Sequence, residues 1–184
     1  MGLDCPPSAT LPTPLVAAEV LATERGSGHL RLAAGHRVQP GRDYLLVHEE
    51  AEGLPLIRAL IGDACEPASG YRQVGTAQVR QLVTVAAVEG DGCRLDAPVH
   101  WTKQAAWPVR LLEVELLHEV GLCHLRLRGH WDGYFTHHWN PEHDNGWDQV
   151  NLSWCREAFV HDTVHENCTS AVGCSVCDGR SRRR

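Results

Sequence analysis

Four residues close together, His137, His138, His143 and Asp144, could do chemistry, and four aromatic residues flank them: Trp131, Tyr134, Trp139 and Trp147. Imidazole and carboxylate groups exchange protons near neutral pH and ligate divalent metals. His138, His143 and Asp144 are therefore the candidate catalytic groups, and His137, His143 and Asp144 the candidate metal ligands. The flat faces of Trp131, Tyr134, Trp139 and Trp147 suit stacking on sugar rings, which makes them candidate substrate contacts. The same residues also fit a plain loop, its histidines hydrogen-bonded and its indoles covering apolar surface.

A second constellation runs His161-x₃-His165-x₂-Cys168-x₅-Cys174-x₂-Cys177, a spacing that passes for a zinc site. Its competitor is a set of structural cysteines, because Cys174 and Cys177 fall in an expected strand and turn. A third reading takes His137-His138-Trp139-Asn140-Pro141, Asn145-Gly146, Asn151, Cys155 and His161 as a loose echo of an HNH-type metal-dependent nuclease. In that fold a His activates water and a metal clamps the phosphate. It needs an acidic residue where His137 stands, and a helix around His161 where the sequence is rich in Val and Thr.

Composition narrows the field. The chain has 184 residues, 43% hydrophobic and 22% charged, as in an ordinary globular protein. Its net charge of -6 argues against nucleic acid as a partner. The basic run of Arg180, Arg182, Arg183 and Arg184 reads as a solvated tail. No apolar run is long enough for a membrane span, and the Met1–Pro7 start lacks the pattern of a secretory signal. Eight cysteines leave both disulfides and buried thiols open.

The elements that must position these residues read as β throughout. Residues 1–28, with Pro6, Pro7, Pro12 and Pro14, form an extended lead-in. Residues 29–115 form a small β-rich module. Within it Gln39-Pro40-Gly41-Arg42-Asp43 is a turn, Leu54 to Leu60 a helical turn, and Val79–Val88 with Cys93–Leu95 a hairpin around Glu89-Gly90-Asp91-Gly92. In residues 116–177 the strands are short, unevenly spaced and punctuated by Gly, Asn or Ser, which points to a parallel solenoid. Residues 178–184 are a basic tail.

Val120-Gly121-Leu122-Cys123-His124-Leu125-Arg126-Leu127-Arg128-Gly129 resembles a strand segment of pectate-lyase-like proteins. Phe135 to His138, His143 to Leu152, Phe159 to Val164 and Asn167 to Val172 continue the likeness. The chain thus resembles the pectin-lyase-like superfamily over about residues 29–177. The resemblance implies an all-β protein, a small β-rich module followed by the first coils of a right-handed parallel β-helix, and a fragment or shortened member of that family.

It further implies a polysaccharide partner, an extracellular setting and, for an active enzyme, a polysaccharide lyase or glycoside hydrolase. Hydrolysis would use paired carboxylates, and Asp144, Asp148, Asp162 and Glu166 are available. Lyase chemistry would remove a proton beside a uronate carboxylate, with a divalent metal such as calcium as cofactor. The scaffold equally serves as a non-enzymatic glycan-binding or adhesive fibre. In the solenoid, Val160, Val164 and Val172 are expected to face inward, His161, Thr163 and His165 outward, and Asn167 to occupy a sharp corner.

Overall fold

Alternating apolar and polar residues in the first part of the chain build six strands that close on themselves. They are β1 (Val16–Ala22), β2 (His29–Leu32), β3 (Asp43–Glu49), β4 (Ala77–Glu89), β5 (Gly92–Leu95) and β6 (Val109–Glu113). The computed structural model describes residues 14–64, 66, 73–129, 148–168 and 170–178, with backbone alone at 148 and 175–178. Around the barrel the order is β1-β2-β5-β4-β3-β6, every neighbouring pair antiparallel. Pairing of Ala18 with Leu111 and Glu19 with Arg110 closes the ring. Full closure removes exposed sheet edges. Among the described residues, the regular elements apart from one short helix, α1 (Pro55–Ile61), are strands, so the fold is all-β.

The strand period of two explains the core. Ala18 and Val20, Leu30 and Leu32, Val83 and Val85, and Val109 and Leu111 are buried at alternate positions and pack with Tyr44, Leu46, Leu95 and Trp107. At Gly92 a Cβ would overlap the Leu30 carbonyl oxygen, so the close approach of β5 to β2 requires glycine. The Leu54 to Leu60 turn is realised as α1, and the Glu89–Gly92 turn joins β4 to β5, with Gly90 at φ 59°. The lead-in is shorter than its prolines suggest, because β1 lies within residues 1–28 and forms part of the barrel wall.

Helix α1 starts at Leu54, which has a left-handed φ of 59° and makes no side-chain cap. The buried Glu50 carboxylate substitutes for one, accepting the backbone N–H groups of Ala51 (3.0 Å), Leu56 (3.0 Å) and Ile57 (2.7 Å). These amides would otherwise be orphaned at the helix start. His48, also buried, accepts the Trp107 indole N–H at Nδ1 over 3.1 Å. Burial, and then the Lys103 charge, lower its pKa to about 4, so the imidazole is neutral.

The chain divides at Val114, and a second unit begins at Glu115. Its strands are β7 (Leu117–His118), β8 (Gly121–Cys123), β9 (Arg126–Arg128), β10 (Asp148–Arg156), β11 (Phe159–His161), β12 (Val164–Glu166) and β13 (Ser170–Asp178). All pairings here are parallel: β7, β10 and β13 form one sheet, β8 and β11 a second, β9 and β12 a third. The register holds through each turn of the chain, with His118 beside Arg156, Cys123 beside His161, and Arg128 beside Glu166. Backbone bonds such as Phe159 N–H to Val120 O (2.9 Å) and Val164 N–H to Leu125 O (2.9 Å) carry the stacking into the corners.

Those corners are left-handed at equivalent positions. Glu119 and Glu157 have φ 55°, His124 has φ 54° and Asp162 φ 49°, and Asn167 has φ 50°. Asn167 thus stands at a corner, as its type suggests. A left-handed corner also resets which side chains face in. Val164 is 51% exposed, while His165, register partner of Leu127, is half-buried and hydrogen-bonded. The expected inward Val164 and outward His165 are therefore reversed. Val172, also expected to face inward, is the register partner of the buried Val150 but is itself 38% exposed. Among the described residues, no helix is long and apolar enough to cross a membrane.

Candidate functional site

The connection between β9 and β10 carries Trp131, Tyr134, His137, His138, Trp139, His143, Asp144 and Trp147, and these lie outside the described residues. The strand register still says something about that connection. Cys123 to His161 is a longer interval than Asp148 to Ser170, yet both mark one step of the stack. The excess falls entirely between β9 and β10, because β7 to β9 and β10 to β12 match residue for residue.

Among the described residues, the β8–β11 sheet presents an exposed face. Phe159 and His161 point outward with their rings stacked, centroids 5.6 Å apart and planes at 23°. Gly121, the partner of Phe159, has no side chain, and the Phe159 ring occupies the space a Cβ would take. Phe159 remains 48% exposed, an unusual placing for a large apolar ring.

At the end of the same sheet, Cys123 and His161 sit side by side on neighbouring strands. The left-handed backbone at His124 turns that side chain toward them, although consecutive residues of an extended strand point to opposite faces. Donor atoms of Cys123, His124 and His161 all lie within 4.8 Å of one another. The two imidazoles meet edge to face at 5.3 Å and 86°. Asp162 completes the cluster, its Oδ2 lying 3.0 Å from His161 Nδ1 and 3.7 Å from His124 Nδ1. Sequence reading singles out His161 but not Cys123 or His124, whose relation to it depends on the stacking register.

Of the zinc spacing read from His161 to Cys177, the Cys177 side chain lies outside the described residues. His165 donates from Nδ1 to Gln149 Oε1 (2.8 Å), and its Nε2 accepts the Thr163 hydroxyl (3.0 Å). Both ring nitrogens are thereby used. Gln149 also donates to the Glu166 carbonyl (2.8 Å), tying β10 to β12. Cys93, Cys123, Cys168 and Cys174 are free thiols. The nuclease reading fails at its helix, since His161 ends strand β11 and Cys155 is buried in β10.

Two of the four acids available for hydrolysis can be judged. Glu166 accepts Arg126, which holds its carboxyl below the usual carboxylate range, so it stays ionised and cannot donate a proton to a leaving group. Asp162 faces two imidazoles rather than a second carboxylate. The side chains of Asp144 and Asp148 lie outside the described residues.

No protein-family profile matches the chain, and no curated protein does. Its family is not shown.

Among solved structures, it is similar to the tailspike protein gp49 from Pseudomonas phage LKA1, with TM-score 0.39 and 8% identity over 90% of this chain and 23% of that one. It is also similar to the Gp54 tailspike of Acinetobacter baumannii bacteriophage AP22, solved with A. baumannii capsular saccharide. There the TM-score is 0.42 and identity 11%, over 90% of this chain and 33% of that one. The chain spans a third or less of either tailspike. At these values the likeness bears on neither fold nor function.

Proposed function

We propose that the protein binds polysaccharide, and that its second unit is the opening of a right-handed parallel β-helix of the pectin-lyase-like kind. The observation that carries this reading is the placement of excess sequence. An otherwise in-register parallel stack is lengthened at one step only, and that step holds Trp131, Tyr134, Trp139, Trp147 and the His137, His138, His143 and Asp144 group. Solenoid proteins commonly carry binding residues on such insertions. The exposed Phe159 ring adds a flat apolar surface on β11, the strand that follows β10.

Binding without cleavage is the favoured form. The ionised Glu166 and the imidazole-facing Asp162 do not supply a hydrolase pair, and His143, Asp144 and His138 carry any proton transfer the protein performs. A glycan array followed by calorimetry on the full chain tests the reading. Acidic or neutral polysaccharide should bind, Trp139→Ala and Trp147→Ala should each weaken binding about tenfold, the ~1–3 kcal/mol scale of one buried aromatic contact, and no oligosaccharide should be released. Product release abolished by His143→Ala would assign a lyase or hydrolase instead. Absence of binding to any glycan would overturn the proposal.

A further inference from the structure

We propose that Cys123, His124 and His161 form a zinc site that clamps two successive steps of the parallel stack. Cys123 ends β8, His124 is the corner residue after it, and His161 ends β11; strands far apart in sequence and adjacent in register thus bring the three donors within 4.8 Å of one another. One thiolate and two imidazoles are the borderline-soft donors that zinc takes, and they are a poor set for calcium, which wants oxygen. Zinc bonds of about 2.0–2.3 Å require the donors to draw closer. His124 and His161 are 72% and 52% exposed, so their side chains can rotate inward without disturbing a packed core.

The neighbouring carboxylate favours the same occupant. Asp162 Oδ2, 3.0 Å from His161 Nδ1, orients that ring and offsets the cation's charge, as carboxylates behind zinc-bound histidines do. The left-handed backbone at His124 and Asp162 has a role here, since it brings both residues onto the outer face beside Cys123 and His161. Binding displaces the Cys123 thiol proton to solvent and leaves a fourth position for water. Because the ligands straddle two steps, the metal would hold the coils together, independently of glycan binding.

Titration of the full-length protein with Co²⁺ and then Zn²⁺ tests the site. One equivalent of Co²⁺ should give a thiolate-to-cobalt charge-transfer band, Zn²⁺ should erase it, and Zn²⁺ should raise the thermal midpoint. Cys123→Ser should abolish the band, and His161→Gln should weaken binding at least about tenfold. Cys174→Ser, which removes an exposed thiol elsewhere, should leave both unchanged. Circular dichroism of each variant confirms that it folds. A band that persists in Cys123→Ser, no band at all, or equal zinc stabilisation of wild type and His161→Gln would overturn the proposal.

Discussion

Phe159 lies over Gly121, its ring filling the space that any side chain at 121 would need. The two are register partners on parallel strands, so the contact belongs to the stacking of one coil on the next. Gly121→Ala should therefore force the ring away and destabilise the second unit by about 1–3 kcal/mol, the usual cost of overpacking. The paired change Gly121→Ala with Phe159→Ala should recover part of that loss. Urea unfolding of the four proteins in a double-mutant cycle measures the coupling; additive costs would disprove it.

Acid should weaken the barrel through His48. Its pKa is about 4 in the folded protein against 6.5 for an unperturbed His. Above pH 6.5 the group is neutral in both states and carries no penalty. As pH falls from 6.5 toward 4, the unfolded chain takes up a proton that the folded one refuses, so stability declines; below about 4 this contribution levels off. The full shift corresponds to about 3 kcal/mol at ~1.4 kcal/mol per pH unit. His48→Gln keeps an acceptor for the Trp107 N–H and cannot titrate. Its denaturation midpoint should be flatter over this range than that of the wild type.

Glu50 is the next point of leverage. Its carboxylate receives three backbone N–H groups at the entry to α1, where Leu54 supplies no cap. Glu50→Ala leaves those buried donors unpaired and should cost about 3 kcal/mol. Glu50→Gln retains one acceptor oxygen and should cost less. Chemical denaturation of both variants decides, with equal losses arguing that the side chain acts only by filling space.

Thiol reactivity should separate the two units. Burial pushes the Cys93 thiol up to about 11, leaving almost no thiolate at neutral pH. Iodoacetamide at pH 7.5 should leave native Cys93 unmodified while labelling the exposed Cys174. Peptide mapping by mass spectrometry, before and after unfolding, reads the difference; rapid native labelling of Cys93 would contradict its burial.

How much of this was legible depended on whether a feature is local. The β4–β5 hairpin announces itself through Glu89-Gly90-Asp91-Gly92, and the Asn167 corner through a residue that tolerates left-handed backbone. Closure of the barrel is different. The pairing of β1 with β6 joins Val16 to Leu112, and nothing near either residue signals the other, so β1 is hidden in a proline-rich lead-in. The corner cluster has the same character, because Cys123 and His161 become neighbours only through the stacking register. Val164 shows a subtler failure. Strict alternation carried across Asp162 points it inward, but the left-handed turn there shifts the parity by one and sends His165 in instead.

The single lengthened step between β9 and β10 separates two kinds of evolutionary pressure. Coils that stack residue on residue resist change, because altering one strand's length would break pairing above and below it. A connection that leaves after Gly129 and rejoins at Asp148 escapes that constraint. The entropic cost of closing a connection grows only logarithmically with its length, about 0.6 kcal/mol for each doubling. The sequence there can be rewritten, lengthened or exchanged as a cassette while the scaffold stays fixed. What such a connection carries can thus change without refolding the stack that presents it.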